Sequence, residues 1–372
     1  MRIVAFGTYQ VDSHPRVRVL IEGLREVGHD VIEINEPLGL STAQRVSMLK
    51  APWKLPILAG RLISTWMRLA KRGRTLRRTE HIDAVLVGYL GHFDVHLAKR
   101  VFKGAPIILD HLLFAAGTAT DRGAKPGAVT KALEVLDGRA LAAADIIVLD
   151  TPEHQARVPT ELADRTVVCP VGADSRWFAA GRKSVPAPVP GEPVRVVFYG
   201  LYTPLQGAAT IGRALRLLAD RGLSSADLRV TMIGTGQDLA ATRAAAIGTS
   251  MVEWLDWVEP DDLPDVIAAH HVSLGIFGTS TKGAEVVPNK VYQSATAGCA
   301  LVTSDTLPQR RLLDDAAVLV PTGDAVAVAD IVQSFVVDRD SLAERRRAAA
   351  ELAAREFSPQ AVVRPLADRL AR

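Results

Sequence analysis

Twice along this chain, short unbroken runs of apolar and β-branched residues alternate with helical stretches, and a proline-rich segment separates the two series. Continuous apolar runs bounded by Gly, Pro or Asp are what strands buried on both faces of a parallel sheet require. In the first series strands are expected at Arg2–Phe6, Val31–Ile34, Ala84–Val87, Ile107–Leu109 and Ile146–Leu149, with helices including Pro15–Val27 and Gly127–Ala143. Then Ser184-Val-Pro-Ala-Pro-Val-Pro-Gly-Glu-Pro193 places four prolines in ten residues. That density excludes helix and central strand and predicts an extended linker. Strands are expected again at Val194–Tyr199, Leu228–Ile233, Met251–Leu255, Val272–Ile276, Ala300–Thr303 and Ala317–Val320. The helices of this series include Ala208–Asp220, Leu239–Ala246, Asp262–Ala269 and Ala325–Phe335, the last capped by Asp324. Helical stretches Ser341–Arg355 and Pro359–Ala371 close the chain.

The expected class is therefore α/β: two Rossmann-like, doubly wound parallel-sheet domains facing across a cleft. Residues 1–183 form the first domain, 184–193 the linker and 194–357 the second domain, with a last helix, 358–372, returning to the first. Such sheets bind ligands outside the carboxyl ends of their strands, at the switch in strand order, and paired domains bind between them.

The sequence also narrows the surroundings and partners. Cys169 and Cys299 are the two cysteines and share no metal-ligand spacing, as in a reducing cytosol. No apolar run reaches the length of a membrane span, and the first residues are polar too soon for a signal peptide. A cytoplasmic protein is expected. Between Pro37 and Thr79 stand ten Lys or Arg and no Asp or Glu, against a net charge of +3 for the whole chain. On a helical wheel Leu55, Leu58, Leu62, Trp66 and Leu69 share one face, and Lys54, Arg61, Arg68 and Arg72 form a stripe beside it. An apolar face with a Trp and a basic flank suits a helix lying on a membrane. It suits equally a core helix with a solvated edge. An anionic membrane surface over residues 38–79, on the inner face of the cell membrane, is the expected partner. Nucleic acid is not, because interleaved aromatics are missing.

Glu285 to Asp305 carries the densest signal. A loop leads into a helix beginning near Pro288, and Lys290 falls in its first turn, where the partial positive charge of the helix end disfavours a cation. A phosphate on that helix end resolves the conflict. Gly200-Leu-Tyr-Thr-Pro-Leu-Gln-Gly207 follows the first strand of the second series, and Ile233-Gly-Thr-Gly236 follows the next. Either is a place where backbone amides approach a phosphate, or an ordinary turn. Gly7-Thr-Tyr-Gln-Val-Asp-Ser-His-Pro15 lacks the dinucleotide fingerprint. Asp110-His111 ends a strand, at a ligand-facing edge, where a histidine is either catalytic or structural. His14, His92, His96, His270 and His271 show no metal-ligand spacing, and no metal or other cofactor is expected.

The second half resembles the retaining family-4, or group 1 type, glycosyltransferases of the GT-B fold. Their signature is a Glu, seven residues, a second Glu, then Ala-x-x-x-Gly-x-Pro and an apolar strand. Here Glu285 stands eight positions before Gln293, followed by Ser294-Ala-Thr-Ala-Gly298-Cys-Ala-Leu-Val-Thr-Ser304. Phe198-Tyr-Gly200 with Gln206-Gly207, Met232-Ile-Gly-Thr-Gly236, Val252–Val258 and His271–Phe277 keep the family's order. Upstream, Val168-Cys-Pro-Val-Gly-Ala-Asp174 with Phe178, and Gly28-His-Asp-Val31, are similar to its Asn-Gly-Val-Asp…Phe and Gly-His-Glu-Val. The closing Phe357-Ser-Pro resembles its crossover. The family's second Glu is Gln293 here. The Arg and Lys that hold its donor diphosphate fall at Leu201 and Gln206, with Lys282 and Lys290 the nearest replacements.

The resemblance implies transfer of a sugar from a nucleotide-sugar to an acceptor with retention of configuration. Glu285, Lys290 and His111 would be catalytic. Gly200, Gln206, Gly207, Gly234, Gly236, Trp257, Lys282, Asn289 and Gln293 would bind the donor. Gly7, His14 and Asp110 would lie on the acceptor side. The acceptor would be a sugar, a lipid-linked sugar or a secondary metabolite. Two other readings stand: a sugar-nucleotide epimerase, and a GT-B binding protein with reduced catalysis.

Overall fold

Every strand expected from the sequence forms, because each apolar run has a parallel partner on at least one side and helices above and below it. In this computed structural model, which describes residues 1–11, 15–37, 55–121, 125 and 127–372, the chain divides into two compact units.

The first unit takes Met1–Gly117, Lys125–Cys169 and Val363–Arg372. Its strands are β1 (Arg2–Gly7), β2 (Asp30–Asn35), β3 (Ala84–Val87), β4 (Ile107–Asp110), β5 (Ile146–Leu149) and β6 (Thr166–Val168). They lie in the order β2-β1-β3-β4-β5-β6, all parallel. The short edge strand β6 escapes sequence reading, since three residues flanked by polar ones carry too little pattern. One core cluster joins Val4, Phe6, Val85, Val87, Ile107, Leu109, Ile147 and Leu149 to the helices over them. Phe6 meets Phe102 edge-on at 5.4 Å.

The second unit takes Thr118–Ala124 and Pro170–Val362. Its strands are β7 (Val194–Tyr199), β8 (Leu228–Ile233), β9 (Val252–Leu255), β10 (Val272–Leu274), β11 (Ala300–Ser304) and β12 (Ala317–Val320), in the order β12-β11-β10-β7-β8-β9. All pairings are again parallel. Asp324 caps the helix Ala325–Val337 as expected, accepting from the amides of Val326 and Ala327.

The unit boundary at Cys169/Pro170 precedes the proline-rich segment. Residues 184–193 carry no helix or strand, but they lie inside the second unit. The reason is the helix Ser175–Gly181, whose Trp177 and Ala180 are buried with Tyr199, Ile233, Ala268 and Ala297 of the second unit.

The basic segment forms the helix Leu55–Thr79, though residues 38–54, including Lys54, and the side chains of Leu55 and Leu58 lie outside the described residues. Its apolar stripe turns inward from Trp66 onward. Leu69 is fully buried in the first unit's core, and Trp66 Nε1 donates to Asp94 Oδ1 at 2.8 Å. Arg68 and Arg72 pair with Glu36. Ile63 and Met67, 55% and 63% exposed, lie one turn apart on the outer side. Among the described residues no helix is long and apolar enough to cross a membrane.

Candidate functional site

In the second sheet the strand order reverses between β7 and β10, so the ligand crevice is expected at their carboxyl ends. β7 ends at Tyr199 and continues into Gly200; β10 ends at Leu274 and continues into Gly275. Lys290 reaches this point from the first turn of the helix Asn289–Thr296. Its Nζ donates to Gly275 O at 3.4 Å and stands 3.7 Å from the centre of the Phe198 ring. A Cβ at Gly200 would lie 3.3 Å from Lys290 Nζ and 3.7 Å from Gln206 Oε1, so both side chains converge on that glycine.

The electrostatics of this point are unusual. Lys290 is 5% exposed, and burial holds its ammonium well below the usual lysine range. Its one hydrogen bond is long, and the aromatic face beneath it is a weak counterpart. Gln206 Oε1 is buried and accepts no hydrogen bond among the described residues. Pro288 occupies the N-cap, one place earlier than expected, and offers no side-chain cap; of the first-turn amides, Val291 N donates to Pro288 O. A buried cation, a carboxamide able to turn its NH2 inward, and a helix N-terminus together make an anion site.

Glycines bring the surrounding loops this close. Gly234, at φ +119, follows β8; a Cβ there would fall 2.0 Å from Gly200 O. Gly207, in the left-handed region at φ +62, lies under Phe277 and Gly278, and a Cβ would fall 2.4 Å from Gly278 N. Gly236 packs similarly on Tyr202. The loops after β7, β8 and β10 therefore form one layer.

The other residues expected to bind the donor also belong to the second unit. Gln293 is one helical turn beyond Lys290, and its Oε1 lies 3.3 Å from the Tyr199 hydroxyl, which also approaches Lys290 O and Ser294 Oγ. Asn289 and Glu285 are half-buried, Glu285 on the loop that leads from β10 to the helix. Lys282 Nζ donates to Thr118 Oγ1 at 3.0 Å. Trp257 is 68% exposed. Sequence reading missed Phe198 and Gly275. Both sit beside noted residues, but their role follows only from knowing that β7 and β10 are neighbours.

The acceptor-side residues belong to the first unit, and His14 lies outside the described residues. Asp110 is no open carboxylate: it is fully buried and accepts from Arg16 Nε at 2.7 Å. Gly7 packs against Asp94, which accepts from Thr8 N and Oγ1. His111 is 2% exposed, packed edge-on between His92 and Phe114 at 5.1 and 4.7 Å. Burial first, then nearby His92, push its imidazole down to about 3, so it is neutral near neutral pH. It stands at the end of β4 as expected, but as a buried ring.

Comparison with known proteins bears on the second unit and on the fold. Residues 193–338 match the model of the family Glycosyl transferases group 1, the stretch that contains the Lys290 site. No curated protein matches the chain. Among solved structures, sucrose-phosphate synthase from Thermosynechococcus elongatus superposes with a TM-score of 0.68 at 14% identity, over 100% of this chain and 98% of that one. The E. coli trehalose-6-phosphate structure bound with UDP-2-fluoro glucose gives 0.67 at 13%, over 100% and 99%. Anabaena HepE in complex with UDP and glucose gives 0.64 at 11%, over 100% and 98%. These likenesses are of fold. Residues 193–338 thus match the group 1 glycosyltransferase family, on a chain whose architecture is two Rossmann-like units of the GT-B type.

Proposed function

We propose that this protein transfers a sugar from a nucleoside-diphosphate donor to an acceptor, with retention of anomeric configuration. The observation that carries the reading is the buried Lys290 ammonium at the β7/β10 switch point, underprovided with acceptors and facing Gly200. A diphosphate there meets Lys290, Gln206 and the first-turn amides of the helix Asn289–Thr296. As the glycosidic bond breaks, negative charge grows on the leaving phosphate, and these prearranged donors stabilise it. Lys290 supplies the cation, so donor binding needs no added Mg2+. HepE in its UDP complex and the UDP-2-fluoro glucose complex support a uridine nucleotide as the first donor to try.

Glu285 is the residue for the sugar hydroxyls, on the loop that opens from β10. Glu285→Ala is expected to lower kcat/KM for transfer about hundredfold through lost positioning while leaving UDP affinity within a fewfold. Transfer assays with a sugar-nucleotide panel, paired with UDP titration, measure both. Unchanged transfer would remove Glu285 from the reaction, and absence of transfer or hydrolysis with every nucleotide-sugar would remove the function.

The membrane proposal moves to the outer face of the helix Leu55–Thr79. Ile63, Met67, Lys71, Arg74 and Arg78 are exposed and share that face by their spacing. This face meets an anionic membrane and brings the protein to a lipid-linked acceptor. Sedimentation with phosphatidylserine vesicles should fall severalfold in Met67→Asp and Arg74→Glu, and equal sedimentation favours a soluble acceptor.

A further inference from the structure

His92, His111 and Asp137 are 19 and 26 positions apart in sequence, a spacing that signals nothing. The first unit nevertheless brings them together. His92 comes from the loop after β3, His111 from the residue after β4, and Asp137 from the helix Ala128–Ala143. All three are buried, at 5%, 2% and 4% exposure, and one ligand atom from each lies within 4.8 Å of the others. His92 Nε2 is 2.8 Å from Asp137 Oδ1. The Asp137 carboxylate is held in place by the amides of Ala115 and Ala116, at 3.0 and 3.3 Å.

One atom in this cluster is unexplained. His111 Nε2 is buried with no hydrogen-bond partner among the described residues. An unmet buried polar atom is costly, and native structures rarely keep one without a use. The His111 ring packs edge-on against His92 and Phe114, and one of its nitrogens lies within 4.8 Å of the ligand atoms of the other two residues.

We propose that His92, His111 and Asp137 form a binding site for a divalent transition metal of the zinc class. Two imidazoles and a carboxylate suit Zn2+ and disfavour Mg2+ or Ca2+, which take oxygen ligands. The amides of Ala115 and Ala116 are the outer hydrogen bonds that orient a ligating carboxylate. Tetrahedral ligands about 2.0–2.1 Å from a shared ion stand roughly 3.3 Å apart, so binding replaces the His92–Asp137 hydrogen bond, opens that pair by about 0.5 Å and closes the longer separations, which extend to 4.8 Å at most. The ion ties the loops after β3 and β4 to the helix behind them. The site lies within the first unit.

The test uses the whole protein stripped of metal, with Zn2+ and Co2+ as probes. One equivalent of Co2+ should give the visible absorption of a nitrogen- and oxygen-ligated tetrahedral ion, and one equivalent of Zn2+ should displace it and raise the melting temperature. His111→Phe keeps the ring packing on Phe114 and should lose the band while its circular dichroism stays native. X-ray absorption of the Zn2+-loaded wild type needs no variant and should show two imidazoles and at least one oxygen. Absence of a Co2+ band and of a Zn2+-dependent shift overturns the site. So does a band that survives in His111→Phe, since histidines elsewhere would then hold the ion, or a Zn2+ spectrum without two imidazoles.

Discussion

Replacing Lys290 by Met is expected to remove nucleotide binding and, at the same time, to make the empty protein more stable. Truncating a buried charge that holds an anion costs about 2–5 kcal/mol of binding, or at least roughly thirtyfold in UDP affinity. In the empty protein the same ammonium has one long hydrogen bond and an aromatic face, while burial opposes its charge. Met fills similar volume without that penalty, so a rise of about 1–3 kcal/mol in stability is expected. The pH dependence separates the two effects. Lys290 loses its proton at lower pH when folded than when unfolded. Between those two values the unfolded chain binds more protons, so wild-type stability rises as pH increases through that window. The Met variant lacks this slope. UDP binding runs the other way: an anion recharges Lys290, so affinity weakens as pH rises through the same window. Calorimetric titration of UDP and thermal melts across pH measure both. A variant that binds UDP like the wild type would move the diphosphate elsewhere.

Arg16→Met should cause the largest loss of stability. Arg16 and Asp110 side chains are 1% and 0% exposed and joined at 2.7 Å. Burial opposes the Arg16 charge, but attraction from Asp110 and Asp150 more than offsets this, and the guanidinium pKa is raised. Removing one member of a buried pair leaves the other uncompensated and costs about 3–5 kcal/mol. For a unit of ordinary size that is an apparent drop in melting temperature of roughly 6–20 °C. Burial already holds the Asp110 carboxyl above its usual range beside Arg16, and without that cation it rises further above the value of the unfolded chain. The folded state then binds more protons, so the variant regains stability as pH falls towards the carboxylate range. Unfolding followed at two pH values measures this. Equal stability of variant and wild type would mean that the other groups near Asp110 satisfy it alone.

The two sheets were legible because their strands are continuous apolar runs, and only the three-residue β6 lacked a signal. The candidate site of the second unit was legible in part. Lys290 conflicted with helix electrostatics, and the conflict pointed to an anion. Its orientation over Phe198 and towards Gly275 was not, because it depends on strand order, which sequence periodicity does not carry. On the first unit the residue types misled. Asp110 and His111 do end a strand, but Arg16, from a distant helix, neutralises Asp110, and His92 and Phe114 enclose His111. The stripe at Trp66 and Leu69 shows a further limit. Helical spacing says that a face is apolar, and only packing says whether protein or lipid covers it.

The strand-end glycines and the sequestered lysine also bear on how long the protein lasts when substrate is scarce. An interior cation lacking its anion weakens only the vacant form, whereas a nucleotide at a hundred times its Kd adds about 2.7 kcal/mol to the occupied one. If the proposed donor is what fills the site, the form without it opens more often than the occupied one, and limited proteolysis with and without UDP reads the difference.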